Sequence, residues 1–244
     1  MRGRGKIHVG TSGWHYEHWY GAFYPDDLPK ESLLSYYAKH FKTVEINNSF
    51  YRLPEKKTLE AWRETIPTGF VFTVKGSRYI THMKKLKGAE EALCNFLERI
   101  DVLGETLGPV LFQLPPRWKF NPRRLENFLG RLPAQGRFAF EFRDPSWHDP
   151  AACELLKNNN AAFCIYDFAG RQSPRDVTAD FVYVRLHGPG GAYRGTYGSS
   201  ALSAWAAAFS DWAAQGKDVF CYFDNDEAGY AVENALSLQA MVSR

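Results

Sequence analysis

FVYVRLHG, residues 181–188, decides the fold. Phe181, Val182, Tyr183, Val184 and Leu186 place apolar side chains on both faces of an extended segment, and only Arg185 and His187 interrupt them. A strand with one wet face alternates apolar and polar residues. A run apolar on both faces belongs to a parallel sheet covered on each side, with its polar residues gathered at the carboxyl end. Outward from this stretch the pattern recurs as IHVGTSG from Ile7, TVEINN from Thr43, FVFTVKG from Phe70 and PVLFQL from Pro109. It continues as FAFEFRD from Phe138, AAFCIYD from Ala161 and VFCYFDN from Val219. Eight such runs span the chain.

Between them lie helical segments. The spacing predicts helices over about 31–41, 59–65, 89–103, 202–213 and 229–242. Asn121–Pro122 and Asp149–Pro150 each join a good N-cap to a proline suited to the first helical turn, and open two more. The connection from Asp167 to Asp180 is short and irregular. Strand–helix alternation over 244 residues, with no linker or low-complexity tract, predicts a single-domain α/β TIM (β/α)₈ barrel over residues 1–244. The rival, an open doubly wound sheet, usually carries a G-x-G-x-x-G turn after its first strand; here that turn reads GTSGW, residues 10–14.

Composition limits function only loosely. An apolar content of 45% suits a globular core, and a net charge of +3 permits an anionic ligand without demanding one. Cys94, Cys153, Cys164 and Cys221 form no C-x-x-C pair, which fits reduced thiols in a cytoplasmic protein. No run approaches the length of a membrane span, and no signal-type apolar run follows the basic start. Trp205, Phe209 and Trp212 form the stripe that a helix needs to cover a sheet, so they mark no dimer face, and the oligomeric state stays open.

The strings GTSGWHYEHWYGAFYP (10–25), VEINNSFYRLP (44–54), FVFTVKGSRYITH (70–82) and FQLPPRW (112–118) are distinctive. FEFRDPSW (140–147), VRLHGPGG (184–191) and YFDNDEAGYAVENA (222–235) follow in order. Together they resemble the DUF72 family, also called YecE-like, over essentially the whole chain. The resemblance implies a TIM barrel and no activity, since the family's name records an unknown function.

Function in such barrels resides at the carboxyl ends of the strands. Glu45, Glu141 and Asp224, with His187, are the candidate proton-transfer groups there. Trp14, Asn47, Lys75, Gln113, Arg143, Asp167, Arg185, Arg194 and Asn225 are the candidate substrate-binding groups. The competing structural reading makes Glu141–Arg143 and Asp224–Arg185 ion pairs that brace the mouth. Barrel glycosidases tend to carry their carboxylates after the fourth and seventh strands, where this chain has Gln113 and Arg185/His187, so glycoside hydrolysis is disfavoured. A two-metal site from His82, His187, Glu45, Glu141, Asp167 and Asp224 lacks the usual ligand spacing; no metal and no cofactor are expected. Lys75 suits an anion contact better than a Schiff base. The loop HGPGGAYRGTYGSS (187–200) is glycine-rich and followed by a helix start, an arrangement that can cradle an anion with help from Arg194. Trp14, Tyr16, Trp19, Phe50, Tyr51, Trp118 and Trp147 crowd the surrounding loops, either to stack on a ligand or to pack those loops on the barrel.

Two readings follow. One is an enzyme, a phosphoester or nuclease-like hydrolase acting on a phosphate-containing or nucleotide/nucleic-acid substrate. The other is a non-catalytic module holding nucleic acid or a small anion in the same mouth.

Overall fold

A computed structural model describes residues 3–243. All eight expected strands form: β1 (Ile7–Thr11), β2 (Thr43–Ile46), β3 (Val71–Lys75), β4 (Leu107–Leu114), β5 (Phe138–Phe142), β6 (Ala162–Phe168), β8 (Phe181–Leu186) and β9 (Asp218–Phe223). Each pairs in parallel with its neighbours in the order β1-β9-β8-β6-β5-β4-β3-β2. The ends of that order meet through a parallel bridge between Ser12 and Glu45 and a hydrogen bond from the Gly13 amide to the Glu45 carbonyl, 2.9 Å. The barrel is therefore nearly closed, and its seam is the β1–β2 edge.

The seam has its own fastening. Tyr37, wholly buried on α1 (Leu33–His40), pushes its hydroxyl between the two strands. That oxygen accepts the Thr11 amide at 3.0 Å and donates to the Thr43 carbonyl at 3.1 Å, standing in for a missing ladder bond. Gly10 makes the approach possible, because a Cβ there would lie 2.3 Å from the Thr43 carbonyl oxygen.

Helices cover the outside: α2 (Lys56–Thr65), α3 (Glu90–Ile100), α4 (Pro122–Leu129), α5 (Pro150–Asn158), α6 (Ser199–Ala214) and α7 (Tyr230–Val242) complete the set. The two expected N-caps hold. Asn121 Oδ1 accepts the Arg124 amide at 3.0 Å and Asp149 Oδ1 the Ala151 amide at 2.8 Å, each with proline in the first turn. α3 stops before the expected 103 and tightens into a 3₁₀ segment, Asp101–Thr106, broken by Gly104 at φ 53°.

The described residues hold seven α-helices against eight barrel strands. After β6 the chain turns back as a two-residue antiparallel strand, β7 (Arg171–Gln172). Ser173 Oγ then accepts the Tyr166 amide (2.9 Å) and Thr178 Oγ1 the Phe163 amide (2.7 Å). The loop's hydroxyls thus serve strand amides, and a dozen residues leave no length for a helix. The seven expected helices form, and the connection expected to be short and irregular is this ribbon and its loop.

Strand residues alternate between two packed layers, as the period of two requires. Val44, Phe72, Phe112, Phe140, Ile165, Val184 and Leu186 join the core under the helices. Leu111, Ala139, Ala162, Cys164, Phe181, Tyr183, Phe220 and Tyr222 fill the barrel interior. Tyr222 crosses that interior, its hydroxyl 2.7 Å from Thr43 Oγ1 and 2.6 Å from Thr73 Oγ1. Inward positions change character along the strands: Phe220 and Tyr222 lead to Asp224, Tyr183 to Arg185 and His187, and Ala139 to Glu141.

Candidate active site

The inward residues at the carboxyl ends meet around one guanidinium. Arg185 is fully buried. Its Nε donates to Glu45 Oε2 (3.1 Å), its Nη1 to Glu141 Oε2 (2.9 Å), and its Nη2 to Glu45 Oε1 (2.7 Å) and Asp224 Oδ2 (2.9 Å). A guanidinium is the cation for this place, because its fixed fork meets several carboxylates at once and it stays charged when buried. Burial works against that charge, but Glu45, Glu141 and Asp224 outweigh it and hold its pKa well above the ordinary value.

Glu45 is equally enclosed. Besides Arg185 it accepts Ser12 Oγ (2.5 Å) and the Tyr183 hydroxyl (2.6 Å), and no part of it is exposed. Glu141 is also fully buried. It pairs with Arg143 and accepts from Gln113 Nε2 at 3.3 Å. Burial alone would raise its pKa; Arg143, Arg185 and His187 together hold it well below the usual carboxylate range.

His187 lies between the acids and the second arginine. Its Nε2 is 3.1 Å from Arg143 Nη2 and 3.4 Å from Arg185 Nη1, and its Nδ1 is 3.0 Å from Asp224 Oδ2. A carboxylate only accepts, so Nδ1–H donates to Asp224, while Nε2 faces both the two guanidinium groups and Glu141 Oε1 at 3.5 Å. Phe168 and Tyr193 cover the ring edge-on, at 5.6 and 5.5 Å between centroids.

Three groups remain incompletely paired. Asp224 spends Oδ2 on both Arg185 and His187, and Oδ1 has no partner among the described residues. Burial opposes the ionised form of Asp224, yet Arg185 and His187 keep its pKa below the ordinary value. Lys75, 7% exposed, makes no hydrogen bond or ion pair among the described residues, and its ammonium sits 4.5 Å from the centroid of Phe50. Burial, reinforced by Arg185, lowers its pKa to about 8 despite the nearby carboxylates. Asn47 follows β2, and its Oδ1 is buried without a partner. His82, edge-on to Phe50 at 5.0 Å, is pushed down to about 4 by burial, Lys75 and Arg78.

The structure brings together Glu45, Glu141, Asp224, His187, Lys75, Gln113, Arg143 and Arg185, with Asn47 beside them. It does not bring in the other four sequence candidates. Asp167 pairs in register with Leu186 of the outer layer and therefore faces the helices; burial raises its pKa there. Asn225 donates to the Gly195 carbonyl (2.8 Å) and to Asn234 Oδ1 (2.9 Å), fastening the long loop to α7. Trp14 is buried edge-on against Trp62 of α2, at 4.8 Å between centroids. Arg194 points to Glu227 at 3.6 Å, and both are largely exposed.

The glycine-rich loop is likewise explained from within. Gly188 has φ 108°, and a Cβ there would fall 2.2 Å from the Arg194 carbonyl oxygen. Its amide donates to the Tyr197 hydroxyl (3.0 Å), so it is not free for an anion. Of the loop aromatics, Trp147 stacks on Phe142 and donates to the Trp118 carbonyl, and Trp19 donates to Asp226 (2.8 Å); both pack loops onto the barrel. Ser12 and Tyr183 were missed as parts of the site. The i, i+2 spacing of Tyr183, Arg185 and His187 on one strand face was the signal for Tyr183; Ser12 offered none beyond its place in the first turn.

Among the described residues, no group of three or more His, Cys, Asp or Glu side chains has a metal-holding arrangement. The three acids instead direct oxygens at Arg185. A cleft of about 1010 Å³ opens at the opposite end of the barrel, among Lys6, His8, Arg63, Arg137 and Asp218. Arg137 pairs with Asp218 at 3.2 Å, the Lys6 backbone amide donates to Asp218 at 2.8 Å, and none of its side chains holds an unpartnered buried polar atom. Size alone does not make it the site; the unpaired groups are at the other end.

Fold and site define a TIM barrel with a buried, charge-dense mouth at the carboxyl ends of its strands. The chain belongs to the family described as protein of unknown function DUF72, whose model matches residues 8–244. It is 26% identical over 268 residues to UPF0759 protein YunF of Bacillus subtilis (strain 168), covering 93% of this chain and 92% of that one. It is 33% identical over 117 residues to UPF0759 protein YecE of Escherichia coli (strain K12), a match covering 47% of this chain and 42% of the relative. The crystal structure of a DUF72 family protein from Thermotoga maritima MSB8 superposes with a TM-score of 0.87 at 28% identity, over 98% of this chain and all of that one. The resemblance read from the motifs and the TIM-barrel fold are thereby established. No helix among the described residues is long and apolar enough to cross a membrane.

Proposed function

We propose that the protein is an enzyme that hydrolyses a phosphate ester by acid–base chemistry in this mouth. The observation that carries the reading is the pairing of two incompletely satisfied groups. Asp224 keeps one free oxygen and stays ionised, while Lys75 is a largely buried, unpaired cation with its pKa lowered to about 8. An ionised carboxylate with a free oxygen and an ammonium that gives up its proton closer to neutral pH than an ordinary lysine supply a base and an acid in one cleft. Asp224 Oδ1 takes a proton from the attacking water as its oxygen bonds to phosphorus. Lys75 donates a proton to the ester oxygen as that P–O bond breaks, and Arg143 steadies the charge on the phosphoryl oxygens. His187 orients Asp224. Glu45 and Glu141, enclosed by donors, fix Arg185 in place. The four unpaired cysteines, three of them buried, support a cytoplasmic setting.

The test is turnover of a panel of phosphomonoesters, phosphodiesters and nucleotides, with thermal shift by inorganic phosphate as the binding control. Expected is hydrolysis of at least one ester, lost about a hundredfold or more in Asp224→Asn, with the phosphate shift retained in that variant. Phosphate binding without turnover of any ester replaces this reading with a non-catalytic anion-binding module. Absence of both removes the anion site.

A further inference from the structure

Beside the mouth the rim changes character. The segments after β3 and β4, residues 76–88 and 115–125 (the latter running into the first turn of α4), carry Arg78, Lys84, Lys85 and Lys87, and Arg117, Lys119, Arg123 and Arg124, with no Asp or Glu between them. β3 and β4 are paired neighbours, and Arg124 Nη1 reaches the Lys85 carbonyl at 3.5 Å, so the two loops form one surface. Of these eight cations only Lys119 meets a carboxylate among the described residues, Asp144 at 3.7 Å. In a chain whose net charge is only +3, this sector is a concentrated positive field.

The same rim exposes rings. The large hydrophobic side chains that stand in solvent among the described residues are Tyr51 (73% exposed), Met83 (65%), Tyr193 (44%) and Tyr79 (42%), all on strand-to-helix connections at this face of the barrel, Tyr79 and Met83 on one turn of π-helix. Arg78 lies 5.9 Å from the Tyr51 ring centroid and Lys84 5.5 Å from that of Tyr79. The line continues inward: Tyr51 meets Phe50 edge-on at 5.0 Å, and Phe50 carries the Lys75 ammonium. A cleft of about 470 Å³ beside the rim is lined by Lys87, Arg123 and Arg124, while its Arg131 is paired with Glu90 at 2.7 Å.

We propose that this rim is a track for single-stranded nucleic acid, with phosphates on the two basic loops and bases stacked on Tyr51 and Tyr79. Unpaired cations interleaved with exposed rings are what a single strand needs, because every base offers a stacking face and every linkage a charge. A duplex keeps its base faces inside its own stack and would leave the rings unused. An anionic bilayer is met by a continuous apolar stripe on an amphipathic helix, whereas these rings sit on separate turns. The inference deepens the reading of the mouth by naming the substrate class as a phosphodiester polymer, delivered from Tyr51 past Phe50 to Lys75.

The experiment is fluorescence anisotropy with a labelled oligothymidylate of about twelve nucleotides, from about 50 to about 300 mM salt. It compares the native protein with Lys84→Gln/Lys87→Gln/Arg123→Gln, with Tyr51→Ala/Tyr79→Ala and with Asp224→Asn. The expected native affinity falls steeply with salt. The triple variant lowers it about tenfold or more and flattens the logarithmic salt slope by about two, since each phosphate contact on a single strand contributes about 0.7. The tyrosine pair lowers affinity about tenfold or more without changing the slope, as stacking releases no counterions. Asp224→Asn binds the strand as the native protein does. Absent binding, or binding that none of the surface variants weakens, overturns the track. So does adsorption to phosphatidylserine vesicles stronger than to the oligonucleotide, which would make the rim a membrane contact. The two readings fail separately: hydrolysis of small phosphate esters without strand binding sinks the track alone, and strand binding without hydrolysis of any ester sinks the catalytic mouth alone.

Discussion

The mouth has a closed half and an open half built from the same residue types. Around Arg185, Glu45, Glu141 and Asp224 supply four oxygens to four hydrogen bonds between 2.7 and 3.1 Å, and Ser12 and Tyr183 complete the shell of Glu45. Beside it, Lys75 stands on Phe50 with no carboxylate in contact, and Asn47 Oδ1 is buried without a donor among the described residues. Charge alone marks neither half as functional. The proposed chemistry lies in the open half, where Lys75 and Asn47 Oδ1 find no partner among the described residues.

The largest expected effect tests the brace. Arg185→Met leaves buried carboxylates without their counter-ion, an error that typically costs about 3–5 kcal/mol. A fall in melting temperature of about 10 °C or more, or failure to fold, is expected by calorimetry. A drop of only one or two degrees would move Arg185 from the closed half to the open one.

Lys75→Met should do the opposite at neutral pH, because it removes a cation that burial disfavours. The pH dependence isolates the effect from packing. With a native pKa of about 8 against an ordinary 10.5, the folded state gives up the proton between those values while the unfolded chain still holds it. Lys75's unfavourable contribution is full below about pH 8 and fades as pH rises to 10.5, so its contribution to stability increases across that window. Urea unfolding of the native protein and Lys75→Met should give a difference that grows in favour of the native protein from pH 8 to 10.5, by a total on the order of 3 kcal/mol. A flat difference would mean that Lys75 has a partner after all.

Smaller effects refine the boundary. Tyr183→Phe removes one of the bonds to Glu45 and should cost about 1–2 kcal/mol in urea unfolding, without altering phosphate binding. A loss of binding instead would extend the open half to β8. Arg194→Ala, at an exposed pair with Glu227, should change stability by less than about 0.5 kcal/mol and leave binding untouched.

The strands were legible because a barrel strand is apolar on both faces, and the Asn121–Pro122 and Asp149–Pro150 starts because capping is local chemistry. That same two-faced apolarity hid the parity of β6. Tyr166 and Asp167 adjoin in sequence, and only the register with Arg185 and Leu186 shows that Asp167 faces the helices. Asn225 and Trp14 were misplaced for a related reason: a polar or aromatic residue at a strand end points wherever the next turn sends it. The gathering of acids and bases in the mouth was readable from strand ends. Which of them would be satisfied was not, because Ser12, Tyr183 and Asp224 reach Arg185 and Glu45 across gaps of 33 to 173 residues in sequence. Tyr37 at the seam is the same lesson: a helix residue completes a sheet, and no periodicity announces it.

The central claim is that Lys75 is a largely buried, unpaired cation that takes an anion, and its titration tests this directly. Lysine labelled with carbon-13 at Cε reports the midpoint of Lys75 by NMR, assigned by its loss in Lys75→Met, with and without added inorganic phosphate. The account predicts a midpoint near 8 in the free protein that moves upward when phosphate binds, since an adjacent anion favours the ammonium. A midpoint near 10.5, or one that phosphate leaves unmoved, would contradict it.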